Sequence, residues 1–158
     1  MRDERGSAAV LVVVLLPFLL AVVCGVIELG ALRVLAGRIS TATDLATLAA
    51  VDDQDDAALA TTGQLRLAPD AAMVARRFFA LNLEPIADHL AISPATAAAE
   101  ADVATFPSAP ALDPLTGWRY DRPAVRIAAA VPVRTQAFGA IGLPRVVTVS
   151  VRAASSAR

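Results

Sequence analysis

Residues Gly6 to Ile27 read GSAAVLVVVLLPFLLAVVCGVI, 22 residues without a charge, of which 18 are hydrophobic. At 1.5 Å per residue a helix of this length extends about 33 Å, enough for a hydrocarbon core of about 30 Å. The stretch therefore predicts a transmembrane helix. Pro17 predicts a kink and not a break, because neighbours and local adjustments satisfy the carbonyl that a proline frees in a membrane helix. A cleaved secretory signal has an apolar region of about 7 to 15 residues followed by a small-x-small site, and Val22-Val23-Cys24-Gly25-Val26 offers no such site. Val23 stands where lipoprotein processing at Cys24 wants a small residue, so Cys24 reads as an apolar filler.

Working outward, Arg2 and Arg5 precede the span, and Arg33 and Arg38 follow it. The arginine bias that sets orientation is thus nearly balanced. The five residues before the span favour a short cytoplasmic end, which places the long carboxy-terminal part outside. Beyond Glu28, Leu32, Leu35, Ile39, Ala42, Ala46 and Ala49 recur at spacings of 3, 4, 3, 4 and 3, the period of one helix face. With no proline between residues 18 and 68, one helix is expected from about Ser7 to about Val51. Its second half is an amphipathic stalk whose stripe needs a partner, either the chain's own globular part or another copy.

Asp52-Asp53-Gln54-Asp55-Asp56 is the densest charge cluster. A calcium loop of the EF-hand type requires glycine at its sixth position and glutamate at its twelfth. Counted from Asp53 those positions are Ala58 and Gln64, so the cluster is read as a solvated helix end or loop, with no metal. Residues 57–68 look like a connector around Gly63. Pro69-Asp70 then opens a second helix, proline suiting its first position and the acid its positive end. Ala71, Val74, Ala75, Phe78, Phe79 and Leu81 form its apolar face, and Asn82 and Pro85 end it. One further turn is expected within Ile86–Ile92, where His89 beside Asp88 reads as a surface polar residue.

The last third changes character. Pro107, Pro110 and Pro114 mark a loop. Val125, Ile127, Ala129, Val131 and Val133 then alternate with smaller or polar residues, as do Val147, Val149, Val151 and Ala153, the period of half-buried strands. These two strands, joined through residues 135–144, are expected to pair antiparallel. Pro132 fits an edge, a bulge or a strand end. A third strand falls around Ala97 to Phe106, where an alanine-rich run could equally be helix. Trp118 and Tyr120 are expected in a strand or turn covering the edge of the core.

The fold class is therefore α+β: a long amino-terminal transmembrane and stalk helix, then a small head with a second helix and an antiparallel sheet of three or four strands. Residues 1–27 form a short cytoplasmic end and the span, 28–60 the stalk, and 61–158 an extracytoplasmic head. All 14 basic residues are arginine, balanced by 15 acids. That leaves no positive excess to displace the counterions of nucleic acid. One cysteine and one histidine exclude a disulfide framework and a Cys/His zinc site within one chain. No phosphate-cradling glycine loop, nucleophile elbow or H-E-x-x-H occurs. No enzymatic activity, catalytic residue, metal or cofactor is expected.

Arg5-Gly6-Ser7-Ala8-Ala9-Val10, the apolar run with Pro17, Gly25-Val26-Ile27-Glu28-Leu29-Gly30, and Arg38-Ile39-Ser40-Thr41-Ala42-Thr43-Asp44-Leu45-Ala46-Thr47-Leu48-Ala49-Ala50 follow one another in order. This arrangement resembles the amino-terminal segment of TadE/TadG-like proteins, pseudopilin-like components of the tight-adherence (Flp) pilus system, over about the first 50 residues. The resemblance implies a pilin-like layout and a membrane-anchored structural or assembly role in a Flp type IV pilus or related secretion system. It implies a single-pass position in the cell membrane, with the bilayer, other pilus-assembly or secretion proteins and further copies of the chain as partners. A processing cut would fall between Gly6 and Ser7. The fifth mature position would then be Leu11, where cleaved members carry glutamate, so an uncleaved, TadG-like member is the closer version. Candidates for helix packing are Gly25, Glu28, Gly30, Leu35, Ile39, Ala42 and Ala46, the small residues letting backbones approach closely. The competing reading is a membrane-tethered extracytoplasmic binding module unrelated to pili.

The chain's mean hydropathy of +0.59 is largely explained by the span. Without residues 6–27, 71 of 136 residues are hydrophobic, and 33 of the 71 are alanine. Alanine buries little area compared with leucine or phenylalanine, so a thin core is expected in the head.

Overall fold

A computed structural model describes the backbone from Asp3 to Arg158 and the side chains of residues 11–139 and 142–158. Met1 and Arg2 lie outside the described residues, as do the side chains around the Gly6–Ser7 position. Helix α1 (Asp3–Asp52) runs unbroken for 50 residues with Pro17 inside it. It is rich in alanine and leucine, both strong helix formers, and spans about 75 Å. It begins four residues before the predicted start and ends one residue after the predicted end.

The stretch predicted as a connector is itself partly helical. Asp55 caps α2 (Asp56–Thr62) by accepting the Ala58 N–H at 2.9 Å, and Gly63 closes it in the left-handed region at φ 67°. Both are strong capping signals, so Gly63, around which a connector was expected, instead closes a short helix. Helix α3 (Ala71–Leu83) follows Pro69-Asp70, and a 3-10 turn continues over Glu84–His89. The ambiguous run before Phe106 divides in two. Ser93 caps α4 (Pro94–Glu100), and β1 (Asp102–Phe106) follows at once. The three-proline loop carries a small hairpin, β2 (Ala111–Leu112) with β3 (Arg119–Tyr120).

The two valine-rich strands are β4 (Ala124–Arg134) and β5 (Val146–Ser156), antiparallel with Val131 opposite Val149. With β1 they make a three-stranded antiparallel sheet in the order β1-β4-β5. The head is thus α+β, and the long helix precedes it. Pro132 sits in the central strand, beyond the reach of β1, which pairs only with residues 124–128. Its carbonyl accepts from Ala91 N–H on the side away from β5. Its missing donor therefore faces the same side, which β1 does not reach and only the Leu90–Ala91 segment touches, so the ladder to β5 loses nothing.

The inner face of the sheet, led by Val125, Ile127, Val131 and Val133, is covered by α1 over β4 and β5 and by α3 over β1 and β4. Where α1 and α3 meet, Ala42, Ala46 and Ala50 face a core that includes Ala71, Ala75 and Phe79, all buried. Alanine is thus used for close helix approach, and bulk comes from Ile39, Phe79, Leu83, Ile86, Leu90 and Ile127. On the outer face a polar clamp holds the hairpin down. Asp113, fully buried, accepts from Leu115 N–H and Thr116 Oγ1. Its Oδ2 stands 3.0 Å from Arg126 Nε, an ion pair whose N–H is not aimed for a hydrogen bond. The aligned bond of Arg126 goes from its terminal nitrogen to Asp102, also at 3.0 Å. Burial pushes the Asp113 carboxyl up, but the Thr116 and Leu115 bonds and the Arg126 charge outweigh it and hold the group below its usual 3.8. Tyr120 lies in the same layer, its ring 5.0 Å from that of Phe106, while Trp118 is exposed.

Candidate functional site on the long helix

Helix α1 divides along its length and around its circumference. Residues 11–20 are all exposed, and the helix is long and apolar enough to cross a membrane. From Glu28 onward one face belongs to the head: Leu35, Ile39, Ala42, Ala46 and Ala50 are buried, with Leu32 and Ala49 beside them half-buried. The sequence period located this face, and its partner is the chain's own sheet and α3. On its flank the Thr47 and Ser155 hydroxyls share a hydrogen bond of 2.9 Å that ties α1 to β5, while the buried Thr43 hydroxyl is satisfied within the helix by the Ile39 carbonyl at 2.8 Å.

The opposite face is bare. Val26, Gly30, Val34, Gly37, Thr41, Leu45 and Leu48 follow at spacings of 4, 4, 3, 4, 4 and 3, and every one of them is exposed. At 100° per residue they fall within one strip on the side away from Ile39. A Cβ placed on Gly30 or Gly37 would meet nothing within 4 Å. The chain's own packing therefore does not require glycine at either position, although glycine costs a helix about 0.5–1 kcal/mol relative to alanine.

Glu28 marks the point where the helix enters the head. Its two carboxylate oxygens accept the successive N–H groups of Gln136 and Ala137 at 2.8 and 2.9 Å. The side chain is 7% exposed. It thereby fixes the β4–β5 loop to the foot of the helix, 108 residues away in sequence. The loop closes on itself through Thr135, whose N–H and hydroxyl donate to the Arg145 and Pro144 carbonyls.

At the far end of α1 the acidic cluster does not assemble a cation site. No group of three or more His, Cys, Asp or Glu converges among the described residues. Asp53 instead faces Asp70, with one oxygen enclosed and unpartnered. Burial raises the Asp53 carboxyl above 3.8, and the Asp70 charge adds to the rise.

The packing candidates thus separate. Leu35, Ile39, Ala42 and Ala46 lie in the intramolecular core, and Glu28 holds a loop. Gly30 lies on the bare strip, and Gly25 is half-buried within the span. The exposed residues Val34, Gly37, Leu45 and Leu48 were not among the candidates, although the same helical period, taken from the other side, points to them.

No curated protein and no solved structure matches the chain. The family model Tad, described as "Putative Flp pilus-assembly TadE/G-like", matches residues 6–53, which is α1 from its first turns to the residue after its end; the long helix, and not the head, carries the likeness to this pilus-assembly family.

Proposed function

We propose that the protein is a membrane-anchored structural or assembly component of a Flp (tight adherence) type IV pilus or a related secretion system, acting by helix packing and subunit interaction. In this reading residues 1–27 form a short cytoplasmic end and the span, uncleaved at Gly6–Ser7. Residues 28–60 carry the chain out of the bilayer, and residues 61–158 form an extracytoplasmic head. The observation that carries the reading is the coincidence of the family match with a helix that is apolar at one end and half-covered at the other.

The head supplies only one side of α1 with a partner. The bare strip from Val26 to Leu48, edged by Asp44, continues the largely apolar surface of the span outward, so a neighbour in the same membrane can cover both without reorienting. Glycine at positions 30 and 37 lets that neighbour's backbone come close. Other pilus-assembly proteins, or further copies of the chain, are the partners this surface suits. Crosslinking from the strip in native membranes tests the reading. Adducts from Val34 and Leu45 are expected, and their absence with native neighbours present counts against it.

A further inference from the structure

We propose that the cleft at the foot of the head binds the anionic headgroup of a membrane phospholipid. This rests on the anchored reading above and adds a ligand site to it. The cleft has a volume of about 380 Å³ and lies between α1 and the start of the β4–β5 loop. Its α1 wall is apolar at the membrane end, with Ile27, Ala31 and Leu32. Arg38, His89, Arg134 and Gln136 are the polar residues that line it beside Glu28. Along the helix, Ile27 to Arg38 spans about 16 Å. The headgroup layer of one leaflet is about 5–8 Å thick. Helical side chains lean toward the amino terminus, which here is the membrane side, so Arg38 leans back toward that layer from the upper end of the cleft.

The charge of the cleft is free for a ligand. Glu28 lies in its wall, but both carboxylate oxygens are engaged by the Gln136 and Ala137 N–H groups. Arg38 and Arg134 form no salt bridge among the described residues, in contrast to Arg119 and Arg126, which do. Asp88 and Glu84, the acids on the 3-10 turn that carries His89, pair with neither arginine among the described residues. Two guanidinium groups can hold a phosphodiester through paired N–H donors. A free phosphate has no use for the apolar lower wall, whereas the glycerol and upper acyl carbons of a lipid do. The loop beside the cleft agrees in chemistry: residues 135–144 carry no charge, and Leu143 is 47% exposed.

The test uses the full chain in vesicles of phosphatidylcholine alone or with a minor fraction of phosphatidylglycerol. Flotation reports anchoring, and native mass spectrometry after mild detergent extraction reports the lipid retained. Wild type is expected to retain phosphatidylglycerol over phosphatidylcholine by about thirtyfold. The Arg38→Gln/Arg134→Gln variant, altered only at exposed positions, should float equally and lose that preference. An Arg119→Gln/Arg152→Gln control should keep it. Flotation with equal retention of the two lipids in wild type overturns the site alone. Displacement of the lipid by millimolar inorganic phosphate overturns the lipid assignment. Failure to float with either vesicle overturns the anchored reading and this site with it.

Discussion

Replacing Ile39 with alanine removes a side chain that is 0% exposed and sits where α1 meets the head. Two buried carbons beyond Cβ plus the second γ-branch are lost, about three methylene equivalents at about 0.8 kcal/mol each, or about 2.4 kcal/mol. The neighbours on the sheet and on α3 are held by their own strands and helix, so they can close only part of the gap. A cavity contribution brings the expected loss to about 3–4 kcal/mol, within the range for buried isoleucine to alanine. The matched change Leu45→Ala lies on the same helix, but its side chain is 45% exposed and faces away from the head. Its expected cost to the fold is about 0.5 kcal/mol. Urea unfolding of the full chain in detergent micelles, followed by pulse proteolysis, measures both. If Ile39→Ala costs less than about 1 kcal/mol, or no more than Leu45→Ala, the second half of α1 is not part of the head's core, and the division of the helix into a covered and a bare face is wrong.

Asp113→Asn should cost about 3 kcal/mol near neutral pH, the lower end for breaking a buried pair because Asp102 still faces Arg126. Since folding lowers the Asp113 pKa, its contribution is present above the unfolded value of 3.8 and is lost as pH falls through the lower folded value. The wild-type advantage should shrink in that acid window when unfolding is measured against pH, and a constant difference would exclude the ionised carboxylate as its source. Asp53 runs the other way: folding raises its pKa, so the ionised form costs stability, and that cost builds as pH rises from the unfolded 3.8 and is complete once pH has passed the folded value. Asp53→Asn should therefore stabilise by about 1 kcal/mol near neutral pH, by giving Asp70 a donor, with a gain that fades in acid; a loss of stability at neutral pH would count against the facing carboxyls. Glu28→Ala leaves the Gln136 and Ala137 N–H groups without their acceptor, so hydrogen exchange at those two amides should accelerate by about tenfold or more while that of β4 is unchanged. Unaltered exchange at both would show that the loop is held by other contacts.

The sequence made some parts of this structure legible because their causes are local. A charge-free run of 22 residues has few other uses, and valine at every second position sets both the inner face and the pairing of β4 and β5. The stripe on α1 identified the covered face by period alone. Its partner was open, because a period says which side is apolar and not what lies against it. Helix α2 fell in the stretch expected as a connector, where Gly63 reads as a turn until Asp55 is seen to cap the helix before it. Pro132 in a central strand is understood only once β1 is seen to stop short of it. Glu28 bonded to Gln136, and Arg126 beside Asp113, are contacts between distant or oppositely placed segments, and no spacing in the sequence encodes them. The bare strip was legible in principle. Its glycines and threonine are weakly apolar, so its period is fainter than that of the leucines and alanines on the other side.

The most direct test of the account places a photoreactive side chain singly at Val34, at Leu45 and at Ile39 of the full chain in native membranes, with neighbouring proteins present. Val34 and Leu45 face outward, and Ile39 is enclosed by the head. Covalent adducts to a second copy or to another membrane protein of the assembly are predicted from Val34 and Leu45, with Ile39 giving only intramolecular products. Exclusively monomeric product from all three positions would contradict a role in assembly through this helix.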